Sequence, residues 1–552
     1  MTSATIKRLE KRRQALDSER SSWLSNWRDI ADHMSPRRLR WLATNRNKGQ
    51  KLNDKIVDTT PVHALRTATA GMMSGVTSPS RPWFRLVPRD LDLLEDSAVR
   101  AWIWLAESRM RQVLAASNLY NGLHTCYEDL LAFGTACLVF EADFDEVIRC
   151  YQLPLGSYWL ATGPRQDVDT LVREIEMTVG QMVARFGLDK VGESVRSAHR
   201  QDNLDATHTV YQAIEPNRDR DPQRADAAGK AWSSIYWQKG EAQALDVTGY
   251  DFKPFVAPRW HVTGGDVYGR SPGMDALGDV KQLYTMQRRK GQAIDKNVNP
   301  PMLVGTSMQG TPVSLLPGAK TFAPDNLLGS SGGVRPIYQA SLNLQDLKED
   351  ILQVQQRVRA SLYADLFALF VESDRRQITA TEIEARRGEK MQILGPALER
   401  LQDELINPLI DYLFSLLLQA ELLPPPPDAL QEQDLQTELT SILAREQRGD
   451  VVAGLDRLLN VVGGMIQIAP EAIDKLDTDQ VIDEYGALTG APPRVVRGDD
   501  RVQALRAARR QQQQAAQAAA LAQQGAAAAK DLAATDTEGK NALTDLAAAA
   551  NG

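Results

Sequence analysis

Residues 271–301 read SPGMDALGDVKQLYTMQRRKGQAIDKNVNPP, and this stretch predicts one long helix over residues 272–298. Pro300 and Pro301 end the helix, because proline lacks the backbone donor that a helix needs. A second helix is predicted over 342–370, where apolar residues recur at steps of three and four: Leu344, Leu347, Ile351, Val354, Val358, Leu362, Leu366 and Leu369. At about 1.5 Å per residue it is roughly 40 Å long. Its polar opposite faces argue against a membrane span.

The connection between these two helices, residues 299–341, is long and rich in proline and glycine. A segment of about forty residues inside a compact domain is usually functional or contains small strands of its own. The candidate strands are MLVG, VSLL and KTF. The sequence therefore predicts a helical hairpin with an elaborate tip.

A bent helix is predicted after the hairpin, over residues 379–427. The stretch ITATEIEARRGEKMQILGP, residues 378–396, begins with a capping box in which Thr379 and Glu382 can satisfy two backbone donors. Gly395 and Pro396 then interrupt the helix, yet the amphipathic pattern continues to PPPP at 424–427. Proline inside a helix bends it. The charged stretch VESDRRQ, residues 371–377, separates this element from the hairpin.

The first half of the chain predicts helices followed by sheet. Helices are expected over 3–34, about 59–73 and 96–116, and from 136 to about 265 the apolar pattern has period two. A hairpin is predicted to turn at 143–146, and 217–230 is predicted to be a solvated loop. The predicted fold class is α+β, with an antiparallel β-rich region between helical ones.

The C-terminal part predicts a mixed helical region to about residue 497 and then an Ala/Gln-rich tail. The last fifty residues include QQQQAAQAAALAQQGAAAAK, which has high helix propensity but almost no large apolar side chains. Such a tail cannot build a core within one chain. It is either disordered or a helix that packs against copies of itself.

Composition limits the class of protein. The chain has 552 residues, 43% of them hydrophobic and 24% charged, which is typical of a soluble globular protein with several structural units. A net charge of -7 argues against a broad basic surface that grips nucleic acid, but not against a conduit for DNA. Three cysteines without close pairing and an N-terminus without an apolar signal core predict a soluble intracellular protein with no membrane partner.

Candidate catalytic and metal sites are weak. GTSMQGT at 305–311 has phosphate-loop glycine spacing but no lysine, and proline follows it. Asp143, Asp145 and Glu146 favour a polar hairpin turn over a cation site, and His124 with Cys126 favours a half-buried helix position over zinc. No Gly-x-Ser-x-Gly motif is present. The sequence predicts no enzyme, no cofactor and no metal.

One basic cluster lies on the first helix of the hairpin: Lys281, Arg288, Arg289, Lys290 and Lys296. A solvated face paired to acidic neighbours is favoured over a stripe that faces DNA. Both alternatives remain open at this point.

Four phrases resemble the head-to-tail connector, or portal, proteins of short-tailed, podovirus-type bacteriophages. They are VDTTPVHALRTATAGMMSGVTSPSRPWFRL (57–86), VYGRSPGMDALGDVKQLYTM (267–286), NPPMLV (299–304) and TATEIEARRGEKMQILGPALERLQDELINPLI (379–410). The resemblance covers roughly residues 5–425 in order. It is less specific over the last hundred residues.

The resemblance implies a dodecameric ring with a DNA channel. It assigns a wing to residues 1–271, stem helices to 272–298 and 342–370, and a clip to 299–341. A channel loop follows at 371–378, the bent helix at 379–427, a crown at 428–500 and the tail at 501–552. Implied partners are further copies of the chain, double-stranded DNA, a terminase motor, tail adaptors, and capsid and scaffolding proteins. The implied location is the capsid vertex of the virion, and the host cytoplasm during assembly.

The channel candidates that follow from this assignment are Asp374, Arg375, Arg376, Gln377, Lys281, Arg288 and Arg289. Pro396 would let the capped helix leave the channel loop and turn outward over the wing. The main alternative is a DNA-processing enzyme, such as a nuclease or packaging ATPase. A helical scaffold unrelated to DNA is the third reading, which the β-rich middle disfavours.

Overall fold

The structure is a computed structural model that describes residues 3–41, 52–298, 302–304, 334–336, 344–371, 394–430, 435–440, 449–466, 469–489, 495–497, 499–533 and 549. The chain divides into two compact units. The first comprises Met1–Val87, Ala106–Pro425 and Leu435–Asp450. The second comprises Pro88–Leu105, Pro426–Asp434 and Val451–Gly552.

A five-stranded antiparallel sheet forms the β-rich part of the first unit. Its strands follow chain order: β4 (Tyr158–Thr162), β5 (Val168–Thr178), β6 (Thr207–Pro216), β7 (Trp232–Gln238) and β8 (Ala244–Tyr250). Helix α1 (Ser3–His33) covers one face, and α5 (Val179–Phe186) with α6 (Glu193–Arg200) covers the other.

Alternation along the strands builds these two cores. Tyr211 and Trp237 point to the α1 side, whereas Val210 and Tyr236 point to the side of α5 and α6. Successive strand residues face opposite sides. Both faces are therefore buried, although the strands keep a period of two.

A series of buried hydrogen bonds links this sheet to a smaller one. Arg173 Nε donates to Gln212 Oε1 at 2.5 Å, and Gln212 Nε2 donates to Ser234 Oγ at 2.8 Å. Arg173 Nη2 also reaches Glu141 at 3.0 Å, in the three-stranded sheet. Buried polar groups stabilise a fold when they are paired in this way.

The smaller sheet has the order β3-β2-β9, from β2 (Leu138–Asp143), β3 (Val147–Gln152) and β9 (Phe255–Val256). The first two form the predicted hairpin, in which Asp143 Oδ1 accepts from the backbone N–H of Asp145 and of Glu146. Two further pairs are β1 (Phe84–Pro88) with β12 (Leu435–Leu439) and β10 (Met302–Val304) with β11 (Val334–Pro336).

The remaining long helices of the first unit are α2 (Thr60–Val76), α4 (Leu119–Phe133), α7 (Pro272–Val298), α8 (Leu344–Ser361) and α9 (Ala364–Val371). Helix α3 (Ser97–Ala116) belongs to the second unit up to Leu105 and to the first unit from Ala106 onward. Helix α7 packs on α1, α4 and α8, and α2 packs on α4, α8 and α9.

Residues 394–401 are helical and continue through a π turn, Gln402–Ile406, into α10 (Asn407–Gln419). The π turn is marked by the hydrogen bond from Asn407 N–H to Gln402 O, five residues earlier. Pro408 follows at once and has no N–H for the carbonyl of Glu404. Both a proline and a π turn interrupt the regular hydrogen bonds of an α-helix, and here they coincide.

The second unit is mainly helical over the residues that the structure describes. Its helices are α11 (Gly449–Ile466), α12 (Thr478–Thr489) and α13 (Asp499–Ala533), and Arg506 pairs with Asp479 at 2.6 Å. Helix α13 contains most of the Ala/Gln-rich tail. Its described side chains, residues 501–527, are exposed or nearly so.

Several sequence predictions are confirmed by these elements. The mixed α+β class, the helices at α1, α2, α3 and α7, the hairpin turn at 143–146, and a small strand within MLVG all match. The candidate strands VSLL and KTF lie outside the described residues.

Two predictions are wrong in detail. The helix expected over 342–370 is interrupted, because α8 ends at Ser361 and Tyr363 has a φ of 58° before α9 begins. The region 136–265 is not purely sheet, because α5 and α6 lie within it. Helix α5 begins with a capping box at Thr178 and Gln181, a local signal that the strand pattern around it concealed.

Candidate functional site

The start of α7 is joined to the end of α4 by close backbone contacts. Ser271 Oγ donates to Ala132 O at 2.7 Å and accepts from Met274 N–H at 2.9 Å, which makes it the N-cap of α7. Gly134 has a φ of 81°, and a Cβ there would lie 2.3 Å from Gly269 O. The phrase VYGRSPG therefore fixes where α7 leaves the rest of the first unit, which is called the body below.

The first half of α7 is packed. Val280 and Leu283 are buried, and Tyr284 Oη donates to His33 O at 2.6 Å. The packed residues of α8 are Ile351, Val354 and Val358, all buried. The two helices are thus anchored to the body at this end.

Asp58 joins α7 and α8 through its carboxylate. Oδ2 accepts hydrogen bonds from Gln287 Nε2 at 2.7 Å and from Gln355 Nε2 at 2.9 Å. Burial raises the pKa of Asp58, but hydrogen bonds from Thr60 and from the two glutamines outweigh it and lower the pKa overall. The ionised carboxylate is therefore favoured at this junction.

Beyond this junction α7 is largely exposed. Residues 291–298 are exposed except for one half-buried position, and Ile294 and Val298 show 42% and 81% of their surface. On α8, residues 345–350 are exposed except for half-buried Leu347. The outer half of the hairpin thus has little packing within the described part of its own chain.

The basic residues of α7 divide into two groups. Lys281 Nζ pairs with Asp29 at 2.8 Å, which is the solvated, paired arrangement that the sequence favoured. Arg288 and Arg289 lie further along on exposed turns, and no carboxylate of the described residues lies within salt-bridge distance of either. The structure therefore separates Lys281 from Arg288 and Arg289.

The end of the hairpin returns to the body through α9. A Cβ on Gly71 of α2 would lie 2.2 Å from Phe367 Cγ, so glycine is required for this approach. The break at Tyr363 precedes α9, which packs on α2, and the Tyr363 ring lies tilted against the Trp260 ring with centroids 5.8 Å apart.

The predicted channel-loop residues Asp374, Arg375, Arg376 and Gln377 lie outside the described residues, as do the capping pair Thr379 and Glu382. Gly395 and Pro396 are described as the second and third residues of the helical stretch that begins at 394. The bend at Pro396 stays a prediction, because the residues before 394, which would form the first part of the bent helix, are not described.

A buried ion pair holds the helix that follows Pro396. Arg259 Nη2 lies 2.6 Å from Glu404 Oε1, and the Arg259 side chain is 3% exposed. The backbone N–H of Arg259 donates to Glu404 Oε2 at 2.8 Å. Arg259 also donates to Gln166 O at 3.0 Å and to Asp266 O at 3.2 Å. Glu404 sits in the π turn, so the irregular turn carries the contact between the helix and the β-rich part.

Sequence reasoning did not identify Arg259 or Glu404, which are 145 residues apart in the chain. Arg259 stands in FKPFVAPRWHV, which the alternating pattern treats as strand, although only Phe255–Val256 is strand. The one available signal for Glu404 was the phrase LQDELINPLI, in which a proline follows four residues after the glutamate.

The described residues that the sequence offered as possible metal ligands are not brought together by the structure. Asp143, Asp145 and Glu146 form the predicted hairpin turn, and hydrogen bonds from the backbone of Glu146 and Asp145 lower the pKa of Asp143. His124 is exposed and Cys126 is buried on the same helix, so they do not share a face. Within the described ranges, no group of three or more His, Cys, Asp or Glu side chains is placed to hold a metal ion. GTSMQGT at 305–311 lies outside those ranges.

No helix among the described residues combines the length and the apolar character that crossing a membrane requires.

Comparison with known proteins gives a consistent set of relatives. Residues 6–496 match the family described as bacteriophage head to tail connecting protein. A probable portal protein of Bordetella phage BPP-1 is 42% identical over 539 residues, which cover 97% of this chain and 97% of the relative. A portal protein of Salmonella phage epsilon15 is 40% identical over 553 residues, covering 100% and 99%. Neither name indicates a catalytic activity.

One solved structure, the neck of an empty GTA particle computed with C6 symmetry, shows a distant likeness. Its TM-score is 0.35 at 12% identity, over 74% of this chain and 86% of that one. This likeness carries no argument about function.

Proposed function

Since the chain belongs to the bacteriophage head to tail connecting protein family, we propose that its copies assemble into a closed ring at one vertex of the phage capsid. Double-stranded DNA would enter and leave through the ring, and the ring would contain twelve copies, as the family resemblance implies. The observation that carries this proposal is the match over nearly the whole chain to two phage portal proteins.

Two features of the structure support assembly. The outer halves of α7 and α8 are exposed, and so are the described side chains of α13. A long helix whose described side chains are exposed gains stability chiefly by packing against other chains. Neighbouring copies in a ring would supply that packing.

We assign the parts of the ring as the family resemblance implies. Residues 1–271 would form the wing, α7 and α8 the stem, and 299–341 the clip, whose two short strands β10 and β11 pair with each other. Residues 371–378 would form the channel loop, with the helix through Pro396 leading outward. Residues 428–500 would form the crown, and 501–552 the Ala/Gln-rich tail that extends it.

The ring would act as a conduit and not as a catalyst. A net charge of -7 suits this role, because many tight phosphate contacts would hold the duplex in place. Arg375 and Arg376, repeated once per copy, would make a ring of weak phosphate contacts. A terminase motor would supply the energy for packaging, and tail adaptors, capsid and scaffolding proteins would bind the outer surfaces. The site of action would be the virion, after assembly in the host cytoplasm.

The mass of the purified full-length protein tests assembly. We expect one large closed species at micromolar concentration by light scattering. A stable monomer under the same conditions would contradict the proposal.

The double variant Arg375→Ala/Arg376→Ala tests the conduit. We expect ring mass to stay unchanged while DNA packaging or retention changes, because surface charges of this kind are worth under about 1 kcal/mol to folding. Loss of rings in this variant would show that the arginines are structural.

A deletion around Asn326–Gly333 tests the clip. We expect intact rings that bind the motor and tail adaptors less well. Unchanged packaging and tail attachment would remove the assignment of 299–341 to partner docking.

A further inference from the structure

Helices α7 and α8 run side by side in opposite directions, and their contacts fix the register. Arg357 Nη2 pairs with Asp279 Oδ1 at 3.0 Å, and Gln287 and Gln355 both bind Asp58. Extending this register along the two helices places Arg288 within about one helical turn of the level of Glu349.

Arg288 lies on the outer side of α7. Asp279, nine residues earlier, marks the side of α7 that faces α8, because its carboxylate pairs with Arg357. Nine residues correspond to about 180° around a helix, so Arg288 points away from α8, on the same side of α7 as Tyr284. Arg289 is exposed beside it, and Lys296 extends the positive charge two turns further on.

Glu349 lies on the outer side of α8. Ile351, two residues later, is buried, so Glu349 is on the opposite side of its helix. The carboxylate is exposed, and its Oε1 accepts from Gln345 Nε2 at 3.0 Å. The hairpin therefore presents an arginine on one outer side and a carboxylate on the other, at similar levels.

Rotation about an axis parallel to the hairpin brings these two sides together in adjacent copies. A rotation keeps each residue at its own level along the axis, and repeated head-to-tail contacts of this kind close into a ring. Arg288 and Glu349 cannot meet within one chain, because they point away from each other. Opposite charges at the same level give such an interface its register and its specificity.

We propose that Arg288 of one copy pairs with Glu349 of the adjacent copy, so that this basic face of α7 is an interface between copies and does not contact DNA. The proposal rests on the ring described above and assigns one of its contacts. It also explains why Arg288 finds no carboxylate among the described residues of its own chain.

Two single charge reversals, Arg288→Glu and Glu349→Arg, test the proposal in the full-length protein. Each variant places like charges at every interface of its own ring. We expect the concentration for half-maximal ring assembly at low salt to rise about tenfold for each variant. The effect should diminish at high salt, because exposed charges are screened.

A mixture of the two variants provides the decisive measurement. If the two variants alternate around the ring, every interface again pairs opposite charges. At one interface the introduced glutamate faces the introduced arginine, and at the next interface the native Arg288 faces the native Glu349. We therefore expect the mixture to recover assembly and to give rings that contain both variants in equal numbers, measured by native mass spectrometry. A contact within one chain cannot be restored by mixing.

Lys239→Glu serves as the matched control, because Lys239 is an exposed lysine at the turn after β7. It should assemble as the wild type does, and circular dichroism should show all variants folded. The proposal is overturned if the reversals leave assembly unchanged, or if the mixture fails to recover it. It is also overturned if the Arg288→Glu ring forms normally but retains less DNA, which would place Arg288 at the duplex. Failure of the wild type itself to form rings would instead refute the proposed function.

Discussion

Replacing Glu404 by glutamine tests whether the buried ion pair holds the helix after Pro396 to the β-rich part. The change keeps the size of the side chain but removes its charge. Arg259, whose side chain is 3% exposed, would retain its bonds to Gln166 O and Asp266 O but lose its counter-charge. Removing one partner of a buried pair typically costs about 3–5 kcal/mol.

The expected loss is smaller for this variant, about 2 kcal/mol, because the glutamine oxygen can still accept one hydrogen bond from the guanidinium. A loss of about 2 kcal/mol corresponds to roughly thirtyfold faster opening of the local structure. The backbone N–H of Arg259 is itself a donor to Glu404 Oε2, so its exchange with solvent deuterium reports directly on the pair.

Amide hydrogen exchange is the appropriate assay, since a chain of this size does not unfold in one step. We expect roughly thirtyfold faster exchange at Arg259 and in the π turn, with α1 unaffected. Glu399→Gln, an exposed change on the same helix, should alter exchange by less than about twofold. Equal exchange in Glu404→Gln and the wild type would show that the pair contributes little and that apolar packing alone holds the helix.

Three further outcomes follow from local structure. Burial raises the pKa of Asp129 to about 7, against the opposing effect of the Arg38 guanidinium 3.1 Å away, so the folded state holds the proton between about pH 4 and pH 7 and the unfolded state loses it. Stability from this group should therefore fall as pH rises through that window, and Asp129→Asn should flatten the pH dependence of the opening free energy that amide exchange measures in α4. Gly134→Ala, with a φ of 81° and a backbone oxygen 2.3 Å from the new Cβ, should destabilise by more than about 2 kcal/mol. Gly187→Ala has open space for its Cβ, but a φ of 84° with a ψ of 153° is a backbone conformation nearly confined to glycine, so this change should cost about 1–3 kcal/mol in local amide exchange. Gly71→Ala would place its Cβ 2.2 Å from a ring carbon of the facing helix and should weaken that packing, whereas Gly278→Ala in open space should stabilise α7 by about 0.5–1 kcal/mol.

The sequence predicted the elements whose signals are local. Helix α7 carries a serine and proline at its start and two prolines after its end, so its bounds of Pro272–Val298 could be read directly. The hairpin turn at Asp143 was likewise visible, because an aspartate that accepts from the next backbone donors is a local feature.

Features that depend on tertiary contacts could not be predicted in this way. The apolar stripe of the second stem helix continues through Leu362, and no glycine or proline marks the break at Tyr363. The break is associated with the docking of α9 on α2 at Gly71, far away in the chain. Arg259 and Glu404 are similarly distant, and neither stands in a pattern that predicts an ion pair.

The candidate site was predicted in part. The sequence located the basic residues on α7, but only the structure separates Lys281, which pairs with Asp29, from Arg288 and Arg289 on the outer turns. Periodicity gives the face of a helix that a residue occupies. It does not give the neighbour across that face, which requires the register between α7 and α8.

Electron microscopy of the purified full-length protein tests the central claim most directly. We expect end-on views to show closed rings of uniform copy number around an open channel. The map should place one α7–α8 hairpin per copy around that channel, with α7 of each copy beside α8 of the next. Monomers, open filaments, or rings whose hairpins do not surround the channel would contradict the account.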